Sequence, residues 1–535
     1  MGESNCNTQF IDYKNTGYFS KIAVDYIEQK EDLKSFFLHE VSEEGIENSI
    51  NARENFPQHN RDILVEELQK QYAEMQPSSI VQQNILSLKN QNTLTITTAH
   101  QPNIFGGPLY VVYKILHVVK IAQELSNKYS DKHFVPVYYM GSEDADLDEL
   151  NNITINSKKY IWHTTQTGAV GRMCVDKNLL SLIDEMQAQL GVEPFGNEWI
   201  TLLKSAYQEG KNIQQATFEF LNAAFGRFGL LVIIPDNANL KRLFEPIILK
   251  ELQTQFSHKA LQQTVSALTE KHYHAQTEGR ELNLFYLLND KRERIEIENG
   301  LYVVRNLNLQ FSQEEIIDEV KNHPERFSAN VVLRGVFQET ILPNIAFVGG
   351  GGELAYWLEL KNVFKNASVP YPLLLLRNSF LLISERQQEI ISKLNIPLEI
   401  LFKKEHEIIN EILANRHLTI SLEEELNEIK SVYQSLKEKA NQADTTLSQH
   451  VESLFVKAFK RAENLEKKIA SAQRKKLRIE KSQIERLKSE LFPNNSLQER
   501  VENIAGFYAK YGGVIFDDIL ENSLTIKSKF GIIKL

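Results

Sequence analysis

Cysteine is nearly missing from these 535 residues, which hold only Cys6 and Cys174. So small a supply excludes a disulfide framework and a cysteine-based zinc site, and it fits a reducing compartment. Long apolar runs are missing too, and no stretch approaches the roughly 18 residues of a membrane span. The opening Met1-Gly-Glu-Ser-Asn-Cys6 lacks the charged-then-apolar layout of a secretory leader, and Cys6 stands where a myristoylation signal needs Ser or Thr. The expected setting is therefore cytoplasmic, without a membrane partner. Positive charge is not in excess: 60 Lys and Arg against 70 Asp and Glu leave a formal net charge of −10, which argues against nucleic acid as a general partner. Glycine disappears between residues 353 and 505, and proline between 398 and 492. Without those breakers, long uninterrupted helices are expected there.

What is present reads as an α/β protein. Residues 1–92 form a helical cap, with apolar positions at three- and four-residue spacing through Ile22, Val24, Ile27, Leu33 and Phe36, then Ile63, Leu64 and Leu68. Five short apolar runs, at 93–99, 134–140, 230–235, 344–349 and 372–376, alternate with helical periodicity. That alternation calls for a parallel sheet covered on both faces, a Rossmann-like core spanning 93–265 and 336–383. Residues 266–335 interrupt it as a connecting insertion, in which Asn299-Gly300 marks a hairpin. From 384 to 495 heptad spacing through Leu422, Leu426, Ile429, Tyr433 and Leu436, then Leu447, Val451, Leu454, Ala458, Leu465 and Ile469, predicts a coiled coil. A break at Ala440-Asn-Gln-Ala-Asp-Thr-Thr446 makes it two antiparallel helices, and 496–535 returns to the core.

Two glycine-bearing turns follow predicted strands, at His100-Gln-Pro-Asn-Ile-Phe-Gly-Gly-Pro-Leu-Tyr110 and at Phe347-Val-Gly-Gly-Gly-Gly-Glu-Leu-Ala-Tyr-Trp357. Such junctions expose backbone N–H groups at a positive helix end and can cradle an anion. Gly106, Gly107 and Gly349, Gly350, Gly351 and Gly352 are therefore candidate donors. His100, Gln101, Asn103, Tyr110 and Lys114 fall at the same sheet edge. The bland alternative is that the glycines only turn the chain. A third cluster, Gly141-Ser-Glu-Asp-Ala-Asp-Leu-Asp-Glu149, packs five carboxylates after a strand. Glu143, Asp144 and Asp146 call for a helix end, a magnesium ion or a substrate amine nearby. Glu353 either binds a substrate ammonium or caps its own helix, Tyr356 is site or core, and Arg377 is a mobile cation or half of a salt bridge. His272 and His274 lack the companions of a metal site. The lysines and arginines of the second long helix, Lys457 to Lys481, suit a solvated coiled-coil face better than an RNA-binding arm.

The three motifs, in this order and with a late coiled coil, resemble the bacillithiol biosynthesis cysteine-adding enzymes over almost the full chain, from Asp12-Tyr-Lys-Asn-Thr-Gly-Tyr-Phe-Ser20 to Leu497-Gln-Glu-Arg-Val501. The resemblance implies a Rossmann-type core, dimerisation through the coiled coil, and a ligase that joins the carboxyl of L-cysteine to the amine of glucosaminyl-malate. A carboxylate is a poor acyl donor, so ATP, with magnesium, is the expected activator. In that frame His100 and Asn103 meet transition-state charge, Glu143 and Asp144 take a metal or the cysteine ammonium, and Arg377 or Lys114 binds malate. Pro102 and Asn103 depart from the His-x-Gly-His signature of aminoacyl-tRNA synthetases of class I. Nucleotidyl transfer, and a non-catalytic coiled-coil scaffold, are the competing readings.

Overall fold

The computed structural model describes residues 8–277, 279–415, 421–476 and 478–535. They divide into two compact units, one built from the chain up to Leu382 with Ser496–Ile533, the other from Ile383–Asn495 with Lys534–Leu535.

In the first unit β1 (Thr93–His100) leads through α1 (Leu109–Lys128) to β2 (His133–Met140), β3 (Leu231–Ile233) and α2 (Ala238–Thr254). An antiparallel trio follows, β4 (Leu284–Leu288), β5 (Lys291–Arg294) and β6 (Phe327–Ala329), with β4 in the middle. The chain then runs through α3 (Val331–Ile341), β7 (Asn344–Gly349), α4 (Gly351–Glu359) and β8 (Leu373–Leu376). Strands β1, β2, β3, β7 and β8 pair in parallel in the order β8-β7-β1-β2-β3. This is the doubly wound, Rossmann-like core expected from the five apolar runs. Its strand order reverses between β1 and β7, so the crevice for a ligand opens beyond the ends of those two strands.

β1 is buried over nearly its whole length although half of its residues are threonine. The hydroxyls have partners: Thr97 donates to Asn344 Oδ1 at 2.8 Å and Thr98 to the Val348 carbonyl at 2.8 Å, tying β1 to β7. A buried hydroxyl with a partner avoids the desolvation penalty that would oppose a polar central strand. The N-terminal helices are fixed to the sheet edge in the same way, Tyr26 donating to the Leu374 carbonyl at 2.9 Å and Ser49 to that of Ile345 at 2.5 Å.

The inserted Asn299-Gly300 turn has both residues at positive φ, 51° and 81°, and joins the antiparallel segments Glu296–Glu298 and Leu301–Val304. Between β2 and β3 lies material that periodicity alone left undivided, a hairpin over residues 152–161 and the helices Lys177–Leu190, Gly196–Ala206 and Ile213–Phe225. In the tail, Phe530–Lys534 pairs antiparallel with Thr8–Ile11.

The second unit carries α5 (Glu423–Ala443) and α6 (Leu447–Lys476). Tyr433 meets Phe455, Lys437 meets Glu452, and the Leu422 N–H meets Glu466, so residue numbers rise on one helix as they fall on the other. The two helices are therefore antiparallel. Asp444 Oδ1 closes the turn by accepting from the N–H and hydroxyl of Thr446, at 2.8 and 2.7 Å. Val432, Leu436, Leu454 and Leu465 stay 43–57% exposed.

Candidate active site

At the crevice a cavity of about 690 Å³ is lined from the ends of β1, β2 and β7 and from the insertion. His100 closes β1, and its Nε2 lies 3.2 Å from the Tyr110 hydroxyl on α1. Burial, with the charges of Lys114, Arg334 and Arg377, holds the His100 pKa well below its ordinary value. The imidazole is neutral at neutral pH, and Tyr110 is pushed up to about 12 by its own burial. Lys114, one turn further along α1, donates to the Ala99 carbonyl at 3.0 Å and forms an ion pair with Glu353.

Beyond β2, Glu143 is an ion-pair partner of Lys241 on α2 and accepts from Ser328 on β6 at 2.8 Å. Asp144 accepts from Gln101 Nε2 at 3.3 Å. Asp146 turns outward and is exposed. The cation that the carboxylate cluster demands at Glu143 is thus Lys241. No group of three or more His, Cys, Asp or Glu is placed to hold a metal among the described residues.

The glycine turns differ from the expected pair of cradles. Neither Gly106 nor Gly107 lines the cavity. The first turn's backbone groups are spent internally: the Phe105 N–H donates to the Tyr207 hydroxyl and the Gly107 N–H to the Ile104 carbonyl, while Asn503 donates to the carbonyls of Phe105 and Gly107. Gly107 needs to be glycine, with φ 67° and ψ −160° and a Cβ position only 2.9 Å from that of Asn103. Its turn aims α1 so that Tyr110 and Lys114 reach His100. In the second run none of Gly349 to Gly352 has a positive φ. Gly350, Gly351 and Gly352 do line the cavity, whereas Gly349 does not. Glu353 itself caps α4, accepting from the Gly350 N–H at 2.8 Å, so with Lys114 beside it its carboxylate is already occupied and is not free for a substrate ammonium. A Cβ at Gly352 would meet no protein atom within 4 Å; the space it leaves belongs to the cavity.

Arg377 is not mobile. It is buried against Glu499 in a two-pronged pair of 2.9 and 2.7 Å, also donates to Ser379, and lies over the Tyr110 ring at 5.2 Å. Tyr356 lines the cavity and accepts from Arg334 at 3.3 Å, while Trp357 is core, stacked on Phe347 at 4.3 Å. Asn103 faces a smaller neighbouring chamber.

Five arginines went unread in the sequence: Arg280, Arg292, Arg294, Arg334 and Arg500. Arg292 stacks on Phe285 at 3.9 Å and is fixed by Ser328 and the Ala329 carbonyl at 3.0 and 3.1 Å. The available signal was Arg292-Glu-Arg294, since alternate residues of a strand share one face. With Lys114 and Arg377 these make seven cationic side chains against three carboxylates, Glu143, Asp144 and Glu353. In a chain of net charge −10 that excess is local, and it suits a multiply charged anion.

Two family models match nearly the whole chain: "Bacillithiol biosynthesis BshC, N-terminal Rossmann-like domain" over residues 6–378 and "Bacillithiol biosynthesis BshC, C-terminal coiled-coil domain" over residues 380–535. The chain belongs to the BshC family. Among BshC proteins, one from Flavobacterium johnsoniae named "Putative cysteine ligase BshC" is 40% identical over 99% of this chain and 100% of its own length. Namesakes from Flavobacterium psychrophilum and Christiangramia forsetii are 38% and 36% identical, each over 98% of this chain and 99% of their own length. A solved chain from Campylobacter jejuni, described as an arginyl-tRNA synthetase, overlaps 83% of this one at 10% identity and a TM-score of 0.22, too loose to support any argument.

Proposed function

We propose that this BshC protein is an amide-forming ligase that adds L-cysteine to glucosaminyl-malate, the closing step of bacillithiol synthesis. The observation that carries the reading is the cation-rich cavity at the switch point of a Rossmann-like sheet, with a neutral His100 at its wall. Both the malate carboxylates and a nucleoside triphosphate are multiply charged anions, and arginine forks match carboxylate and phosphate oxygens.

The cysteine carboxylate must first be activated. With ATP its oxygen attacks phosphorus, giving either a cysteinyl adenylate and pyrophosphate or a cysteinyl phosphate and ADP. The amine of glucosaminyl-malate then attacks the acyl carbon, loses a proton and expels AMP or phosphate. Arg292 and Arg334 hold the anionic groups. The neutral His100 and Tyr110 pair offers hydrogen bonds to the developing oxyanion at no cost in proton transfer. Asp144, which accepts from Gln101 Nε2 and from the Asp146 N–H, is placed to take the amine's proton.

Mass spectrometry of the purified protein with glucosaminyl-malate, cysteine and magnesium, with and without ATP, tests this. The expected result is an ATP-dependent amide-linked thiol, with AMP or ADP naming the route. Nucleotide turnover without amide would favour nucleotidyl transfer, and no chemistry with any nucleotide would favour a binding scaffold.

A further inference from the structure

Beside the main cavity lies a chamber of about 390 Å³ that shares His100, Gln101, Tyr110 and Arg500 with it. Its own wall includes Asn103 and Glu149. The two compartments differ in what they want. The main cavity carries an excess of positive charge, whereas the side chamber adds the Asn103 and Glu149 oxygens to the shared Arg500.

Asn103 is only 6% exposed. Its Nδ2 donates to the Glu149 carbonyl at 3.4 Å. A carbonyl can only accept, which fixes the orientation of the amide. Asn103 Oδ1 is buried and meets no partner at full hydrogen-bond geometry, although its side chain interacts with the His100 ring. A buried oxygen so placed is costly and rare in a folded protein unless a ligand or water meets it. On the rim of the same chamber stands the Glu149 carboxylate, which is in no ion pair among the described residues although Arg500 shares the wall. Partial burial, then Asp146 and Asp144, push its carboxyl above the usual value.

We infer that the side chamber is an ammonium subsite, in which Asn103 Oδ1 and Glu149 hold the primary ammonium of a substrate while His100 and Tyr110 stand at the passage to the anion-binding cavity. The inference rests on the ligase reading above. It relocates a role that Glu143 is prevented from filling by Lys241. Two sources share this chemistry, the α-ammonium of the amino acid and the amine of the amino sugar.

Calorimetric titration of the full chain separates them. The ligands are L-cysteine and its amine-free counterpart 3-mercaptopropionate, then glucosaminyl-malate and the malate glycoside of glucose. In one of the two pairs the amine-free member should bind roughly tenfold or more weakly, the loss of one or two charge-assisted hydrogen bonds. That pair names the source. Glu149→Gln and Asn103→Leu should each weaken the ammonium ligand roughly tenfold and leave its amine-free counterpart unchanged. Glu149 is exposed, so its variant keeps the fold even if the Asn103 variant does not. Equal affinity of Glu149→Gln and the unaltered chain for both ammonium ligands overturns the subsite while leaving the ligase reading intact. A chain that neither binds nor ligates either substrate overturns both.

Discussion

Arg292 and Arg334 differ from Arg377 in a way that decides what each can do. Arg377 already has its carboxylate in Glu499, whereas no ion pair engages the other two among the described residues. Replacing Arg334 with Met should raise KM for the anionic substrate or cut turnover roughly ten- to a hundredfold, the worth of one or two hydrogen bonds to a charged group. Arg334→Lys should recover only part of that, because a single ammonium cannot imitate the fork; steady-state kinetics with the three proteins checks it. His100 gives a different readout. Its ring is held neutral by burial and neighbouring cations, so its NMR shifts should stay flat from about pH 6 to 8, where an ordinary histidine titrates. His100, Gln101, Asp144, Lys114 and Tyr356 were legible because ligands meet parallel sheets at strand ends, and strand ends show in a sequence. Of the two readings of Arg377 the salt bridge holds, and the sequence left the choice open because the partner Glu499 lies 122 residues further on. The insertion arginines were unread because only the folded strand aims them inward.

At the scale of the element, the two glycine turns separate folding from binding. Gly107→Ala places a side chain in a backbone region nearly restricted to glycine and against Asn103, so it should cost about 2 kcal/mol or more of stability. Gly352→Ala meets no protein atom, so thermal unfolding should be almost unchanged while the affinity for the bound anion falls. The five strands were readable from apolar run length, and their parallel direction followed from the helices between them. The hairpin between β2 and β3 was not, because strands of four residues carry too few periods to declare themselves. The end of α4 supplies a test of pH. Glu359 accepts the N–H groups of Gln276 and Thr277 at 2.6 and 3.1 Å, anchoring the start of the insertion, and burial lifts its carboxyl from 4.5 to about 7. A folded pKa above the unfolded one means that its contribution is fully present below about pH 4.5 and is lost as the pH rises through about 7. The melting temperature of Glu359→Gln, relative to the unaltered chain, should therefore climb between those limits.

For the whole molecule, the open question is what covers the coiled coil. A two-helix hairpin that leaves Val432, Leu436, Leu454 and Leu465 largely exposed has a face suited to a second copy. Sedimentation should find a dimer that Leu454→Glu with Leu465→Glu converts to a monomer; an unchanged mass would show that the hairpin is sufficient alone. The heptads announced the two helices, but whether they pair with each other or with another chain is not written in spacing.

The C-terminal segment has a consequence of timing. Glu499 holds Arg377, Arg500 faces the cavity, and Asn503 fastens the turn beneath His100, yet all three are synthesised after residues 383–495. A ribosome that has already delivered the entire parallel sheet has still not delivered a working centre. Chains interrupted anywhere in the coiled coil should fold much of the first unit and remain inert, so that only finished molecules begin to spend substrate.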